Sequence, residues 1–162
     1  MRLWHNPCFF RGNTRESLVK LMNRRKTILF ADDDQVLLAA YCLPLQNAGY
    51  NVITVHDGLE TLKKLFLLVP DLLILDLMMP SLEGEDLLKF ISSRHQVAKV
   101  PVIILSSKSA IGVHDVPLIN LAAKYLIKQE CNPSILLEAV RDQFASESQE
   151  IPARIVSTFE LN

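Results

Sequence analysis

Apolar residues along the chain fall into short runs that alternate with longer amphipathic stretches. Short apolar runs bounded by turn-forming residues predict buried strands, and apolar residues at helical spacing predict helices. The predicted strands are 27–31, 51–55, 72–75, 100–105 and 125–127. The predicted helices are 35–48, 59–68, 85–94, 116–123 and 134–145. This alternation predicts an α/β fold, a doubly wound parallel five-stranded sheet with helices on both faces.

Two prolines modify this pattern. Pro44 lies inside the first predicted helix and should kink it, because it removes a hydrogen bond to the preceding turn. Pro117 follows Asp115, a suitable N-cap, so the fourth helix should be short.

Composition narrows the class of protein. The chain has 162 residues, a net charge of −1 and no Cys-x-x-Cys spacing among its three cysteines. Its length fits one domain, and its near-neutral charge argues against binding to nucleic acid or a membrane surface. No apolar run approaches the ~20 residues of a membrane span. The odd number of unpatterned cysteines favours a reducing compartment, which points to the cytoplasm.

The two ends differ from the body of the chain, 27–146. Residues 1–26 contain seven basic residues and one acidic residue. Either this segment is a basic extension with a short helix, or translation starts at Met22, and the sequence leaves both open. Residues 147–162 are predicted to be a tail that is first polar and then apolar.

Polar residues follow four of the five predicted strands. Asp32 and its two acidic neighbours follow the first strand, Asp76 the third, Ser106 the fourth and Lys128 the fifth. Ligands of open α/β sheets bind at the carboxyl ends of the strands. Adjacent acids repel each other, by on the order of 1 kcal/mol per pair at ~4 Å in water. They indicate either a solvated turn with an Asp helix cap or a site for a divalent cation such as Mg²⁺.

If these strand ends meet, they suit a phosphoryl group on a carboxylate. Asp76 would be the nucleophile and a Mg²⁺ ion on the acids would withdraw charge from the phosphoryl oxygens. Lys128 would pair with Asp76 or the phosphate, and Ser106 would donate a hydrogen bond to it.

From about residue 26 to 146, the chain resembles the receiver domain of two-component response regulators, most closely the single-domain chemotaxis-regulator type. The resemblance rests on the segments 28–34, 49–50, 57–58, 71–80 and 125–128 and on Gly84. It implies a flavodoxin-like (βα)5 fold with strand order 2-1-3-4-5. It also implies that Asp76 accepts phosphate from a phosphohistidine of a sensor histidine kinase or His-phosphotransfer protein.

The resemblance implies further roles at matching positions. Asp33 is similar to the direct Mg²⁺ ligand, Asp32 to the acid that acts through water, and Met78 to the residue whose backbone carbonyl binds the metal, alongside Asp76. Ser106 resembles the switch hydroxyl and Lys128 the phosphate-pairing lysine.

Tyr125 resembles the aromatic residue whose rotamer follows Ser106. On its own, Tyr125 fits equally well as a strand aromatic that packs on the sheet.

The sequence departs from the family pattern at three places. Gln129 replaces the usual proline, which predicts a trans Lys128–Gln129 bond, or else a strained cis one, and a trans bond could move Lys128 away from Asp76. Leu121 replaces a helix-ending glycine, which together with Pro117 predicts an altered fourth helix and a different partner specificity. His56 replaces a small residue and is expected on the surface.

The sequence thus predicts a phosphorylation-controlled binding switch that is not an enzyme beyond slow self-phosphorylation and dephosphorylation. Only a short tail follows the last helix, so its output is expected through contact with an unknown downstream protein or onward phosphate transfer, as a monomer or weak dimer. Two alternatives stay open. One is an unphosphorylated receiver-fold scaffold. The other is an Asp-nucleophile phosphohydrolase of the haloacid dehalogenase superfamily, whose first motif Asp32-x-Asp34 fits.

Overall fold

The computed structural model describes residues 24–94, 97–107 and 120–149, which contain five strands and four helices. The strands are β1 (Thr27–Ala31), β2 (Asn51–Val55), β3 (Leu72–Leu75), β4 (Val102–Ser106) and β5 (Lys124–Ile127). The helices are α1 (Gln35–Asn47), α2 (Gly58–Leu68), α3 (Gly84–Ser92) and α4 (Pro133–Gln149). The sheet is parallel with order β2-β1-β3-β4-β5, which confirms the predicted fold and strand order.

Most element boundaries lie within two residues of the predicted ones. The last helix runs to Gln149, so its predicted end at residue 145 is wrong. Helix α1 continues through Pro44 to Asn47. Residues 116–119 of the predicted fourth helix lie outside the described residues, and residues 120–123 form turns and bends. The N-terminal segment 1–23 and the tail from residue 150 also lie outside them, so both stay predictions.

Side chains of β1 and β3 alternate between two cores, one on each face of the sheet. Leu29 and Leu73 pack with residues of α2 and α3, whereas Phe30 and Ile74 pack with residues of α1 and α4. Every residue of β3 is buried, because helices cover this central strand on both faces. The continuous apolar run of β3 is the sequence signature of that environment.

The C-cap of helix α2 is Val69, whose backbone is left-handed at φ 41°. The Val69 N–H donates to the Leu65 carbonyl at 3.0 Å and closes the last turn. Glycine is common at such positions because Cβ makes the conformation unfavourable by roughly 1–2 kcal/mol in other residues. A β-branched residue here stores strain in the backbone.

Helix α3 begins against the chain that leaves β3. The Gly84 N–H donates to the Leu77 carbonyl at 3.0 Å. A Cβ on Gly84 would lie 2.3 Å from the backbone oxygen of Asp76 and 2.6 Å from the Cα of Leu77. Only glycine permits this approach, so Gly84 fixes the segment that follows Asp76.

We expect Val69→Gly to raise the free energy of unfolding by about 1 kcal/mol, because glycine relieves the left-handed strain. Urea denaturation measures this change. Leu67→Gly is the matched control, since Leu67 is also exposed but lies within α2. It should lower the free energy of unfolding by about 1 kcal/mol. A decrease in both variants would contradict the assignment of strain to Val69.

We expect Gly84→Ala to lower the free energy of unfolding by about 3 kcal/mol, because the added methyl meets backbone atoms that cannot move freely. Gly49→Ala serves as the comparison. Its Cβ would meet nothing within 4 Å, and its only cost is a φ of +95°, about 1 kcal/mol. Equal losses in the two variants, measured by urea denaturation, would show that the close approach at Gly84 contributes nothing beyond backbone strain.

Candidate functional site

Strands β1 and β3 place two carboxylates side by side. Ala31 pairs with Leu75 in the parallel ladder, so the next residues, Asp32 and Asp76, leave neighbouring strands at the same level. The Asp76 N–H donates to the Ala31 carbonyl at 2.9 Å, and the Asp32 N–H donates to the Val55 carbonyl at 3.1 Å. Both side chains are buried. The register of the sheet therefore forces two buried acids together.

Lys128 lies between these acids. Its Nζ is 2.7 Å from Oδ2 of Asp32 and 2.7 Å from Oδ2 of Asp76. The Lys128 N–H donates to the Ser106 carbonyl at 2.8 Å, which extends the β4–β5 ladder by one residue. The three residues thus converge as the sequence predicted.

The effect expected of Gln129 on this lysine is wrong. The described residues contain no cis peptide bond, so the Lys128–Gln129 bond is trans, as predicted. The trans bond does not move Lys128 away from Asp76. The backbone of Lys128 is held by its bond to Ser106, which lies on the other side of the residue from the Gln129 peptide.

Burial and charge act against each other at these groups. Burial raises the pKa of the Asp32 carboxyl, and Lys128 only partly offsets that effect. Burial alone would lower the pKa of Lys128, but the carboxylates of Asp32 and Asp76 outweigh it and leave that pKa raised. The lysine therefore carries its positive charge, which stabilises both acids.

A third acid completes a candidate cation site. Asp33 is exposed, and one oxygen each of Asp32, Asp33 and Asp76 lie within 4.8 Å of one another. Oδ2 of Asp32 is buried and accepts no directed hydrogen bond, although it is ion-paired with Lys128. Three carboxylates, one of them open to water, suit Mg²⁺, which prefers oxygen ligands and retains several waters. These residues therefore fit the metal that the sequence predicted.

Met78 lies next to this cluster. Its N–H donates to Oδ1 of Asp76 at 3.1 Å, and its side chain is exposed. The predicted role of its backbone carbonyl as a metal ligand stays a prediction.

Asp34 has a different role from its neighbours. Its Oδ1 accepts from the N–H groups of Val36 at 2.9 Å and Leu37 at 3.0 Å, so it is the N-cap of α1. The helix-cap interpretation of the acidic run therefore applies to Asp34, and the two acids before it remain candidate cation ligands. Asp34, the second acid of the Asp32-x-Asp34 phosphohydrolase motif, therefore caps α1 with its side chain.

Ser106 and Tyr125 lie on the two strands that adjoin Lys128. Ser106 is wholly buried at the end of β4, and Tyr125 is half-buried on β5, opposite Ile104. Their predicted coupling as a switch stays a prediction. His56 is exposed, as predicted.

The sequence did not indicate the contact between Tyr41 and Cys131. Its hydroxyl donates to the backbone carbonyl of Cys131, in the loop that follows Lys128. In the sequence, Tyr41 is one more large residue in the apolar pattern of α1, and nothing there indicates a partner 90 residues away.

Comparisons with known proteins identify the family of this chain. The profile of the response regulator receiver domain matches residues 28–141. The response regulator GtcR of Aneurinibacillus migulanus is 34% identical over 85% of this chain and 50% of its own length. The alkaline phosphatase synthesis transcriptional regulatory protein PhoP of Bacillus subtilis is 39% identical over 51% of this chain and 34% of its own length. The chain thus spans a third to a half of these relatives.

Two solved structures share the fold. A CheY-like response regulator receiver domain protein from Methanospirillum hungatei superposes with a TM-score of 0.70 at 25% identity, over 78% of this chain and 99% of that one. The chemotaxis response regulator CheY4 of Vibrio cholerae gives 0.67 at 27% identity, over 74% and 98%. Among the described residues, no helix is long and apolar enough to cross a membrane. The chain belongs to the response regulator receiver domain family of two-component signalling.

Proposed function

We propose that Asp76 accepts a phosphoryl group from a phosphohistidine of a sensor histidine kinase or His-phosphotransfer protein, in the presence of Mg²⁺. The observation that carries the proposal is the placement of the Lys128 ammonium 2.7 Å from Asp76, beside the carboxylates of Asp32 and Asp33. Receiver domains in general accept phosphoryl groups from histidine kinases. The resulting aspartyl phosphate changes the contacts of the domain with another protein.

The geometry suits transfer to a carboxylate oxygen. A new P–O bond forms at Asp76 while the P–N bond of the phosphohistidine breaks, and the imidazole nitrogen keeps the electron pair. The Met78 N–H holds Oδ1 of Asp76 and Lys128 holds Oδ2, so the carboxylate is oriented before the donor arrives. Such orientation lowers the entropic part of the barrier.

Phosphorylation adds charge that the site must balance. The phosphoryl group brings the local charge at Asp76 from −1 to about −2 and adds strong acceptor oxygens. Lys128 can turn from the carboxylate to these oxygens, and Ser106 can donate a hydrogen bond to them. A Mg²⁺ ion held by Asp32, Asp33 and Asp76 would supply positive charge to the same oxygens. A movement of Ser106 that Tyr125 follows would then carry the signal to the β5 side of the domain.

The rest of the proposal concerns the setting of this reaction. We infer a cytoplasmic protein that acts as a monomer or weak dimer, through protein contacts and without binding nucleic acid. The name of PhoP refers to transcription, but only 34% of that protein is matched. The proposal therefore takes the receiver function from the relatives and nothing from their remaining parts.

We expect the protein to incorporate phosphate from acetyl phosphate with Mg²⁺, and Asp76→Asn to abolish incorporation because the amide is not a nucleophile. Intact-protein mass spectrometry measures the added phosphoryl group. Asp34→Asn is the matched control, since asparagine keeps the α1 cap and removes a nearby charge. It should incorporate phosphate as the wild type does. Phosphate incorporation that survives in Asp76→Asn would remove Asp76 from its role, and Mg²⁺ binding without incorporation in the wild type would favour the scaffold.

We expect Mg²⁺ to stabilise the fold because only the folded chain brings the three acids together. At a free concentration of one hundred times Kd, the free energy of unfolding should rise by about 2.7 kcal/mol. Chelation with EDTA should reverse the gain. Urea denaturation with and without Mg²⁺ measures it. Asp33→Asn should remove most of the gain and Asp34→Asn should preserve it. The same gain in both variants would place the cation elsewhere.

A further inference from the structure

The loop between β5 and α4, residues 128–132, begins with Lys128 and is here called the lysine loop; Tyr41 joins it to α1 by a hydrogen bond. The hydroxyl of Tyr41 donates to the backbone carbonyl of Cys131, and both residues are buried. A buried carbonyl without a partner is costly, so this hydrogen bond selects the loop conformation in which the carbonyl faces Tyr41.

Other contacts of the loop connect Cys131 directly to Lys128. The Cys131 N–H donates to the Lys128 carbonyl at 3.3 Å, and the Glu130 N–H donates to the Ile127 carbonyl at 3.0 Å. The Gln129 side chain reaches the Ser107 carbonyl only at 3.4 Å and from an exposed position. Gln129 lacks the proline ring that would restrict its φ angle. The shape of the loop therefore depends on its hydrogen bonds.

Tyr41 is itself held by the element that carries the acids. Its ring meets Phe30 edge to face, with centroids 6.3 Å apart and planes at 80°. Phe30 belongs to β1, two residues before Asp32. Burial, followed by the contact with Cys131, raises the pKa of Tyr41 to about 12. The hydroxyl therefore keeps its proton, and can donate, throughout the physiological pH range.

We infer that Tyr41 is a positioning residue for Lys128. By fixing the Cys131 carbonyl against β1 and α1, it holds the lysine loop in the register that places the ammonium between Asp32 and Asp76. This role deepens the proposed phosphoryl-accepting function and rests on it for its consequence in catalysis. The geometric part, the hold on Lys128, does not depend on phosphorylation.

The test compares Tyr41→Phe with Tyr50→Phe. Tyr41→Phe removes only the hydroxyl and leaves the ring packed on Phe30. Tyr50 packs on Phe144 and directly precedes β2, the edge strand farthest from β5. Tyr50→Phe therefore controls for the loss of a tyrosine hydroxyl. Phosphate incorporation from acetyl phosphate at saturating Mg²⁺ should be about tenfold slower in Tyr41→Phe. It should be unchanged in Tyr50→Phe.

A second arm separates positioning from general loosening. On a Lys128→Met background, Tyr41→Phe should have no further effect on incorporation, because the group that it positions is gone. An equal slowing on that background would overturn the inference. So would a wild-type rate in Tyr41→Phe.

A third arm uses Mg²⁺ alone and needs no phosphorylation. A less firmly held ammonium competes less with a cation for Asp32 and Asp76, so Tyr41→Phe should bind Mg²⁺ about threefold more tightly by calorimetry. Unchanged or weaker binding would overturn the inference. If the wild type takes up no phosphate, the proposed function fails, and this arm still decides the role of Tyr41.

Discussion

The two 2.7 Å contacts of the Lys128 ammonium, with Asp32 and with Asp76, are the constraint on which the carboxyl edge of the sheet depends. The register of β1 and β3 gives both acids the same level on neighbouring strands. Two charges 4 Å apart interact by about 4 kcal/mol at an effective dielectric constant of 20, so two buried carboxylates alone would oppose this pairing. One cation that contacts both converts a repulsive pair into a stable cluster.

The distance between Lys128 and Asp76 explains why a small residue, Ser106, lies at the end of the strand between them. Strand β4 lies between β3 and β5, so roughly 10 Å separates the backbone of Lys128 from that of Asp76. A long side chain must therefore cross the end of β4. The residue at that end is the small, wholly buried Ser106, whose carbonyl also holds the Lys128 N–H. The same serine thus leaves space for the lysine side chain and fixes its backbone.

The sequence predicted this edge well because its signals are local and one-dimensional. A buried strand such as β3 has a continuous apolar sequence, and the acid that follows it must lie at the carboxyl edge of the sheet. The order of the strands is not local, and it came from the family resemblance and not from periodicity. The end of α4 was misjudged because the polar residues Ser146, Glu147, Ser148 and Gln149 have the composition of a tail, although polar residues are also compatible with a helix.

Two contacts near Lys128 could not be predicted from the sequence pattern. The consequence expected of Gln129 followed from the peptide after Lys128, whereas the hydrogen bond before it, to Ser106, keeps the lysine backbone in the β4–β5 ladder. The bond between Tyr41 and Cys131 joins residues 90 positions apart and leaves no trace in either segment. Periodicity reports which face of an element is buried. It does not report which buried hydroxyl meets which carbonyl.

The same cluster also limits how Lys128 can move during the proposed reaction. Before transfer the ammonium contacts two carboxylates, and after transfer the phosphoryl oxygens carry more charge than either of them. Lys128 must then rotate while its backbone stays in the ladder with Ser106. A loop fixed at Cys131 allows rotation about side-chain bonds and opposes displacement of the whole segment. The rearrangement on phosphorylation is therefore expected to pass through Ser106 and the β4–β5 pair, and not through the loop that leads into α4.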